Sequence, residues 1–181
     1  TTMDFDFSEL KEILFTWQME MQEHNGWNAL FLNCHDQPRS LSRFGDDKNY
    51  PKESAKMLAT AIQLMRGTPY IYQGEEIGMT NANFTKKEQY KDVESTNSWE
   101  FLRKEGKSEA EICTILQAKS RDNARTPMQW DDSKYAGFSD QEPWIAVNPN
   151  KSEIHVKKNL EENDSIFPYY QRLLRLRKEH Q

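Results

Sequence analysis

The chain has 181 residues, the length of one domain, and its apolar fraction of 36% falls below the roughly 45–50% usual for soluble domains. Five Trp, seven Tyr and nine Phe exclude a disordered chain, and few aliphatics beside many aromatics mark a piece of a larger fold. A net charge of -5 offers no basic surface to nucleic acid, no apolar run nears the ~18 residues a bilayer requires, and the acidic Thr1–Asp6 start is unlike a signal peptide.

Asp6 to about His24 reads as a helix, with Ser8 as N-cap and Leu10, Ile13, Leu14, Trp17 and Met21 at three- and four-residue spacing. Asn25-Gly26 ends it. Trp27 to Asn33 is a short apolar run, predicted as a buried strand, and Ser40 to Pro51, with Gly45-Asp46-Asp47, as a loop. Glu53 to Met65 is predicted as a helix that turns Ala55, Met57, Leu58, Ala61, Ile62 and Met65 to a core, with Gly67 at its C′ position. Thr68 to Tyr72 is a second buried strand, and Gln73-Gly-Glu-Glu-Ile-Gly78 follows it. Helix, strand, helix, strand is the order of βα units around a parallel sheet, an α/β fold.

Residues 79 to about 155 are rich in Asn, Asp, Ser and Lys. One helical piece is expected there, about Glu109 to Lys119, and no strand. A loop this long is usually functional. Phe167 to Glu179 is an amphipathic helix with Leu173, Leu174 and Leu176 on its apolar face and basic residues in its last turns, which suits the helix dipole. Cys34 and Cys113 lie far apart and in no CxxC setting, so free thiols in a reducing cytoplasm are expected.

The first strand ends in Cys34-His-Asp-Gln-Pro-Arg39, an imidazole, a carboxylate and a guanidinium on one strand end. Two readings stand: a loop held by an Asp36–Arg39 salt bridge, or a catalytic rim. The second strand also ends in polar and acidic groups, Gln73, Glu75 and Glu76, and parallel barrels deposit strand ends on the face that carries the active site. The polar span would fold over that face. Its Arg121, Asp122, Arg125 and Trp130 combine groups that pair with vicinal hydroxyls and groups that stack on sugar C–H surfaces; the alternative is a solvated loop with internal ion pairs.

The ordered motifs FLNCHDQPRSLSRFGDD, GTPYIYQGEEIGMTN and SRDNARTPMQWDD, followed by AGF and EPWI, resemble the α-amylase family of glycoside hydrolases, in its exo-acting oligo-1,6-glucosidase and trehalose-6-phosphate hydrolase branch. The resemblance implies a partial (β/α)8 barrel, about its last two strands and three helices. Residues 1–181 would be the C-terminal part of the catalytic barrel, and 79–155 a long substrate-side loop insertion after the second strand. It implies retaining hydrolysis of α-glucosides by an Asp nucleophile, a Glu acid/base and a third carboxylate. Asp36 would be that third carboxylate, which holds the sugar and stabilises the transition state, and His35 would bond a sugar hydroxyl. Arg125 would help pocket the non-reducing end, and Arg121 and Glu94 match positions near the cleavage and leaving-group subsites. Gln37 and Arg39 are further substrate-side candidates. Cys34 stands where the family usually has Asn, which puts the local hydrogen bonding of the strand end in question.

A retaining glycosidase requires two carboxyl groups about 5–5.5 Å apart. By the resemblance the nucleophile and the acid lie upstream of Thr1, and Glu75 and Glu76 match a structural motif, so the 181 residues alone are expected to be inactive. No cofactor and no metal is implied. The expected ligand is a small α-glucoside. GWNALF, Lys91-Asp-Val-Glu-Ser95 and Ile115 to Asn123 favour trehalose 6-phosphate slightly, whereas Trp144 to Asn150 looks more like an oligo-1,6-glucosidase. A non-catalytic carbohydrate-binding module on the same fold is the alternative. Two strands cannot close a barrel, so self-association through exposed edges is expected.

Overall fold

In the computed structural model, which describes residues 6–180, a helix precedes the first strand, two helices lie between it and the second, and helices and loops make up the rest. Helix α1, Phe7–Glu23, starts where the Asp6 carboxylate accepts the Ser8 N–H at 2.6 Å. The cap is therefore Asp6, and Ser8 is the second helical residue that donates to it. At the other end Asn25 takes a left-handed φ of 55°, and the Gly26 N–H returns to the Met21 carbonyl at 2.7 Å, satisfying a carbonyl that would otherwise lack a partner. No residue of α1 is buried.

The strands are short and parallel. In β1, Ala29–Leu30, and β2, Thr68–Pro69, Ala29 faces Thr68 and Leu30 faces Pro69. The Thr68 N–H donates to the Asn28 carbonyl at 2.7 Å, and the Tyr70 N–H to the Leu30 carbonyl at 2.8 Å. Both are shorter than the predicted strands because each has a single partner among the described residues. For the same reason they are not buried: Leu30 is enclosed, but Phe31 and Tyr70 are about half exposed. Gly67 has a purpose other than capping. A Cβ there would lie 2.5 Å from the Asn28 carbonyl oxygen and 2.9 Å from Leu30 Cγ, so Gly67 lets the two backbones approach.

Part of the expected Ser40–Pro51 loop is helical. Helix α2, Ser40–Phe44, begins beneath Asn33, whose Oδ1 accepts the Ser40 N–H at 2.7 Å and whose Nδ2 donates to Ser40 Oγ at 2.8 Å. Helix α3, Pro51–Gln63, opens on a proline, whose fixed φ suits a first helical position. It buries Ala55, Leu58, Ala59 and Ile62, while Met57 and Ala61, expected in the core, are exposed. Ala55 and Ala59 pack with Leu41 against Ile166, Tyr170 and Leu173 of helix α8, Ile166–Glu179. Leu174 and Leu176 of α8 stay on its outer side. Arg177 closes this pair: its guanidinium donates to the carbonyls of Gln63 at 2.8 Å, Met65 at 2.7 Å and Gly67 beyond the end of α3.

The 79–155 span is more than a loop. Helix α4, Val93–Lys104, was not legible in the sequence, and α5, Glu109–Lys119, has its predicted bounds. A reciprocal pair opens α5: Ser108 Oγ accepts the Glu111 N–H at 3.3 Å, and Glu111 accepts the Ser108 N–H at 2.8 Å. Phe84, Tyr90, Trp99, Ile112, Cys113, Leu116 and Ile145 bury a core between them, so the span has apolar packing of its own. No strand occurs there among the described residues. The short α6, Asp122–Arg125, and α7, Val156–Glu161, complete the chain. Cys34 and Cys113 are free thiols.

Candidate active site

Past β1 the chain turns, and the turn is fixed from below. Asn33 is buried, and besides its two bonds to Ser40 its Nδ2 donates to Glu75 Oε2 at 2.5 Å. One side chain thus ties the end of β1 to α2 and to the segment after β2. Cys34 is half-buried beside it. The ordering expected from an Asn directly before His35 comes from Asn33, one residue earlier.

That anchor leaves His35 and Asp36 facing outward, with side chains 69% and 48% exposed. They meet two arginines carried by α6 and the residue before it. Arg121 and Arg125 are four residues apart, so one helical turn places both guanidiniums on the same side. Arg125 Nη2 lies 3.0 Å from Asp36 Oδ1, and Arg121 Nη1 lies 3.3 Å from the same oxygen. The other carboxylate oxygen, Oδ2, lies 3.2 Å from His35 Nε2. Arg125 Nε also donates to the His35 carbonyl at 2.8 Å, which fixes the turn that bears both residues. Glu94, in the first turn of α4, pairs with Arg121 Nη2 at 3.0 Å. His35, Asp36, Glu94, Arg121 and Arg125 therefore form one charged surface from three chain segments.

Behind it stands a carboxylate that sequence reasoning missed. The side chain of Asp92 is only 7% exposed, accepts from Arg121 Nε at 2.9 Å and pairs with Arg125 Nη1 at 3.1 Å. Its backbone N–H donates to both oxygens of Asp122, at 3.1 and 3.0 Å, and Asp122 has no exposed surface. The available signal was its place two residues before Glu94 in Lys91-Asp-Val-Glu-Ser95. Hydrogen bonding to Asp92, the largest influence, raises the Arg121 guanidinium further above its usual pKa.

Two candidates sit elsewhere. Arg39 is 1% exposed and makes no pair with Asp36. Its guanidinium donates to the carbonyls of Gln73 at 2.6 Å and Ala124 at 3.2 Å and lies 5.3 Å over the Tyr72 ring, so it links the ends of both strands to α6. Burial lowers its pKa to about 10. A group so enclosed has no free face for a substrate. Gln37 is exposed, but its Oε1 accepts from Arg43 Nη1 at 2.9 Å and not from the arginine pair. Glu75 and Glu76 are engaged in the scaffold: Glu75 with Asn33 and, at 3.3 Å, the Tyr170 hydroxyl, and Glu76 with the Gly74 N–H at 2.7 Å. Burial pushes the Glu75 carboxyl up to about 7. Among the described residues no group of His, Cys, Asp and Glu is disposed to hold a metal ion, and no helix is long and apolar enough to cross a membrane.

The family model for the α-amylase catalytic domain matches residues 1–181. The chain belongs to the α-amylase family. An oligo-1,6-glucosidase of Halalkalibacterium halodurans is 54% identical over 175 residues, 97% of this chain and 31% of that protein. The crystal structure of Bacillus licheniformis trehalose-6-phosphate hydrolase superposes with a TM-score of 0.95 at 57% identity, covering 97% of this chain and 32% of that one. A variant of isomaltulose synthase from Erwinia rhapontici NX5, solved with its natural substrate sucrose, superposes with a TM-score of 0.89 at 42% identity, again over 97% of this chain and 32% of that one. The chain thus spans about a third of the length of these α-amylase family relatives, and its parallel strand pair and flanking helices form the corresponding part of their fold.

Proposed function

We propose that this chain carries the sugar-holding rim of a retaining exo-α-glucosidase that hydrolyses small α-glucosides, with trehalose 6-phosphate slightly favoured. The observation that carries this reading is Asp36, exposed at a strand end and gripped on one oxygen by two guanidiniums. Cleavage of a glucosidic bond passes through an oxocarbenium-like state in which positive charge builds at the anomeric carbon. A carboxylate fixed beforehand stabilises that charge without reorganising during reaction. Arg121 and Arg125 hold Oδ1 of Asp36, Oδ2 lies 3.2 Å from His35 Nε2, and the two side chains are 48% and 69% exposed. Two sugar hydroxyls can bond there, one to the carboxylate and one to the imidazole. Glu94 and Arg121 then flank the leaving group, Arg125 closes the pocket around the non-reducing end, and Gln37 is an outer contact.

One carboxylate of this kind does not complete a retaining site, because the mechanism takes a nucleophile and an acid about 5–5.5 Å apart. In this reading both come from the part of a full-length protein that corresponds to the rest of the relatives' length. The 181 residues are then the last two strands and three helices of a (β/α)8 barrel, with 79–155 on its substrate side, and the protein works in the cytoplasm on a soluble sugar. A second reading, an oligo-1,6-glucosidase acting on isomaltose-type substrates, is favoured by Trp144-Ile-Ala-Val-Asn-Pro-Asn150. The test is turnover by a full-length protein carrying this chain, with trehalose 6-phosphate and isomaltose as rival substrates. Preference for the phosphorylated disaccharide supports the first reading and preference for isomaltose the second. Binding of either sugar without hydrolysis would make the protein a carbohydrate-binding module and reject both.

A further inference from the structure

We infer that Asp92 is the positioning residue of this site, setting the two guanidiniums that aim Asp36 at the sugar. This rests on the α-glucosidase reading above and extends it to a residue with no assigned role.

Arg121 touches Asp36 through Nη1 and Asp92 through Nε, and Arg125 touches Asp36 through Nη2 and Asp92 through Nη1. The four side chains form a closed ring in which carboxylates and guanidiniums alternate. The ring is asymmetric. Asp36 stands at its solvent side with 48% of its side chain exposed, and Asp92 at its protein side with 7%. Only one of the two carboxylates can reach a ligand, and the other can act only through the arginines.

Asp92 is also the better-fixed member. Its backbone N–H is held by both oxygens of the fully buried Asp122, which accepts the Lys91 N–H at 2.8 Å as well. Asp122 in turn gives its own N–H to Ser120 Oγ at 3.1 Å. Asp92 therefore has a fixed backbone and a side chain out of water, where a charge-assisted bond is stronger and directional. Arginine side chains are rich in rotamers when free, so an unheld pair would sample many orientations at the rim. Asp92 restricts both at once. An ordinary surface ion pair would not, since exposed pairs contribute little and readily exchange with water.

The test uses a full-length protein carrying this chain, with 4-nitrophenyl α-D-glucoside as substrate. Asp92→Asn should lower kcat/KM roughly ten- to hundredfold, mostly in kcat, because displacing a reacting group by about 1 Å costs on that order. Asp92→Glu keeps the charge but moves the carboxylate by one methylene, and should also lose at least about tenfold. If Asp92→Asn does not fold, Asp92→Glu carries the test alone. Asp92→Asn combined with Arg125→Gln should be little worse than Arg125→Gln, because both break the same ring; a fully multiplicative loss would mean that Asp92 acts by another route and overturns the proposal. Full activity in either folded single variant overturns it too. The crystal structure of the folded variant gives a readout that no turnover is required for: guanidiniums displaced from Asp36 support the inference, and guanidiniums in their original places sink it. A wild-type protein that also leaves trehalose 6-phosphate and isomaltose intact would reject the α-glucosidase reading and leave that structural comparison to decide the role of Asp92.

Discussion

Arg125 and Asp36, 89 positions apart in the chain, meet in an ion pair of 3.0 Å between Nη2 and Oδ1, while Arg125 Nε holds the carbonyl of the neighbouring His35 at 2.8 Å. A third contact runs from Nη1 to Asp92. Three edges of one planar group thus serve three partners. Lysine has the charge but neither the plane nor the fork, so it cannot make the three contacts together. Arg125→Lys in a full-length protein carrying this chain should therefore lower kcat/KM by roughly ten- to hundredfold, about 1.4–2.7 kcal/mol, on 4-nitrophenyl α-D-glucoside. Steady-state kinetics within twofold of wild type would remove Arg125 from the site.

Asp36 itself should matter more. Asparagine keeps the shape and removes the charge that the reaction centre would feel. Asp36→Asn should reduce kcat by about 10²–10³-fold, the scale observed when a fixed electrostatic group is lost from an active site. Because the side chain is 48% exposed, the melting temperature should hardly move. Unchanged turnover, or a collapse of folding in circular dichroism, would count against a role in transition-state stabilisation.

How much of this was readable beforehand depended on whether a feature was local. The bounds of α5 follow from Ser108 and Glu111, three residues apart, and the end of α1 from Asn25-Gly26; both were legible. Helix α4 was not, because one aromatic, Trp99, and the small Ser95 carry its buried face in a run of Ser, Thr and Asn that reads as loop. The exposed half of the site was visible in His35, Asp36 and the spacing of Arg121 and Arg125. Its buried half was not. Asp92 resembles any acidic loop residue until the fold brings it under two arginines about 30 residues away. Arg39 misled for the converse reason: it sits three residues from Asp36, but the backbone turn sends it into the interior.

The packing of the 79–155 span makes a separate prediction. Ile112 has no exposed surface and sits among Phe84, Tyr90, Trp99 and Leu116. Ile112→Ala should destabilise the protein by about 2–5 kcal/mol, the usual range for emptying that volume in a close-packed core. Thermal or urea unfolding measures it. A loss below about 0.5 kcal/mol would mean that the span is not packed as described.

The two-stranded sheet bears on association. Trp17, Trp27, Phe31 and Tyr70 are each at least half exposed, and each strand has one partner among the described residues. Exposed aromatic surface beside open strand edges tends to be covered by another chain. The 181-residue polypeptide produced by itself should run as a dimer or larger in light scattering, and should hydrolyse no α-glucoside. A compact monomer at high concentration would show that these surfaces are tolerated in water.

Glu75 links the scaffold beneath the rim to pH. Its carboxyl is tied to Asn33 and Tyr170, and burial raises its folded pKa from the ordinary 4.5 to about 7. The folded state therefore binds a proton at pH values where the unfolded chain has released it. The stabilisation tied to that proton is fully present below about pH 4.5 and is lost as the pH rises through about 7. At roughly 1.4 kcal/mol for each tenfold change in proton affinity, the rise from 4.5 to about 7 sets an upper bound of about 3.5 kcal/mol, less because solvent reaches part of the group. Glu75→Gln keeps the shape without a proton to lose: its oxygen can accept from Asn33 and its amide can donate to the Tyr170 hydroxyl. The wild-type melting temperature should thus fall between pH 5 and pH 8 by several degrees more than that of Glu75→Gln. Above pH 8 the variant should be the more stable of the two, with His35 and Asp36 still held in place by Asn33. Parallel melting curves across this range would show that Glu75 is ionised throughout and that Asn33 is anchored by a charged partner.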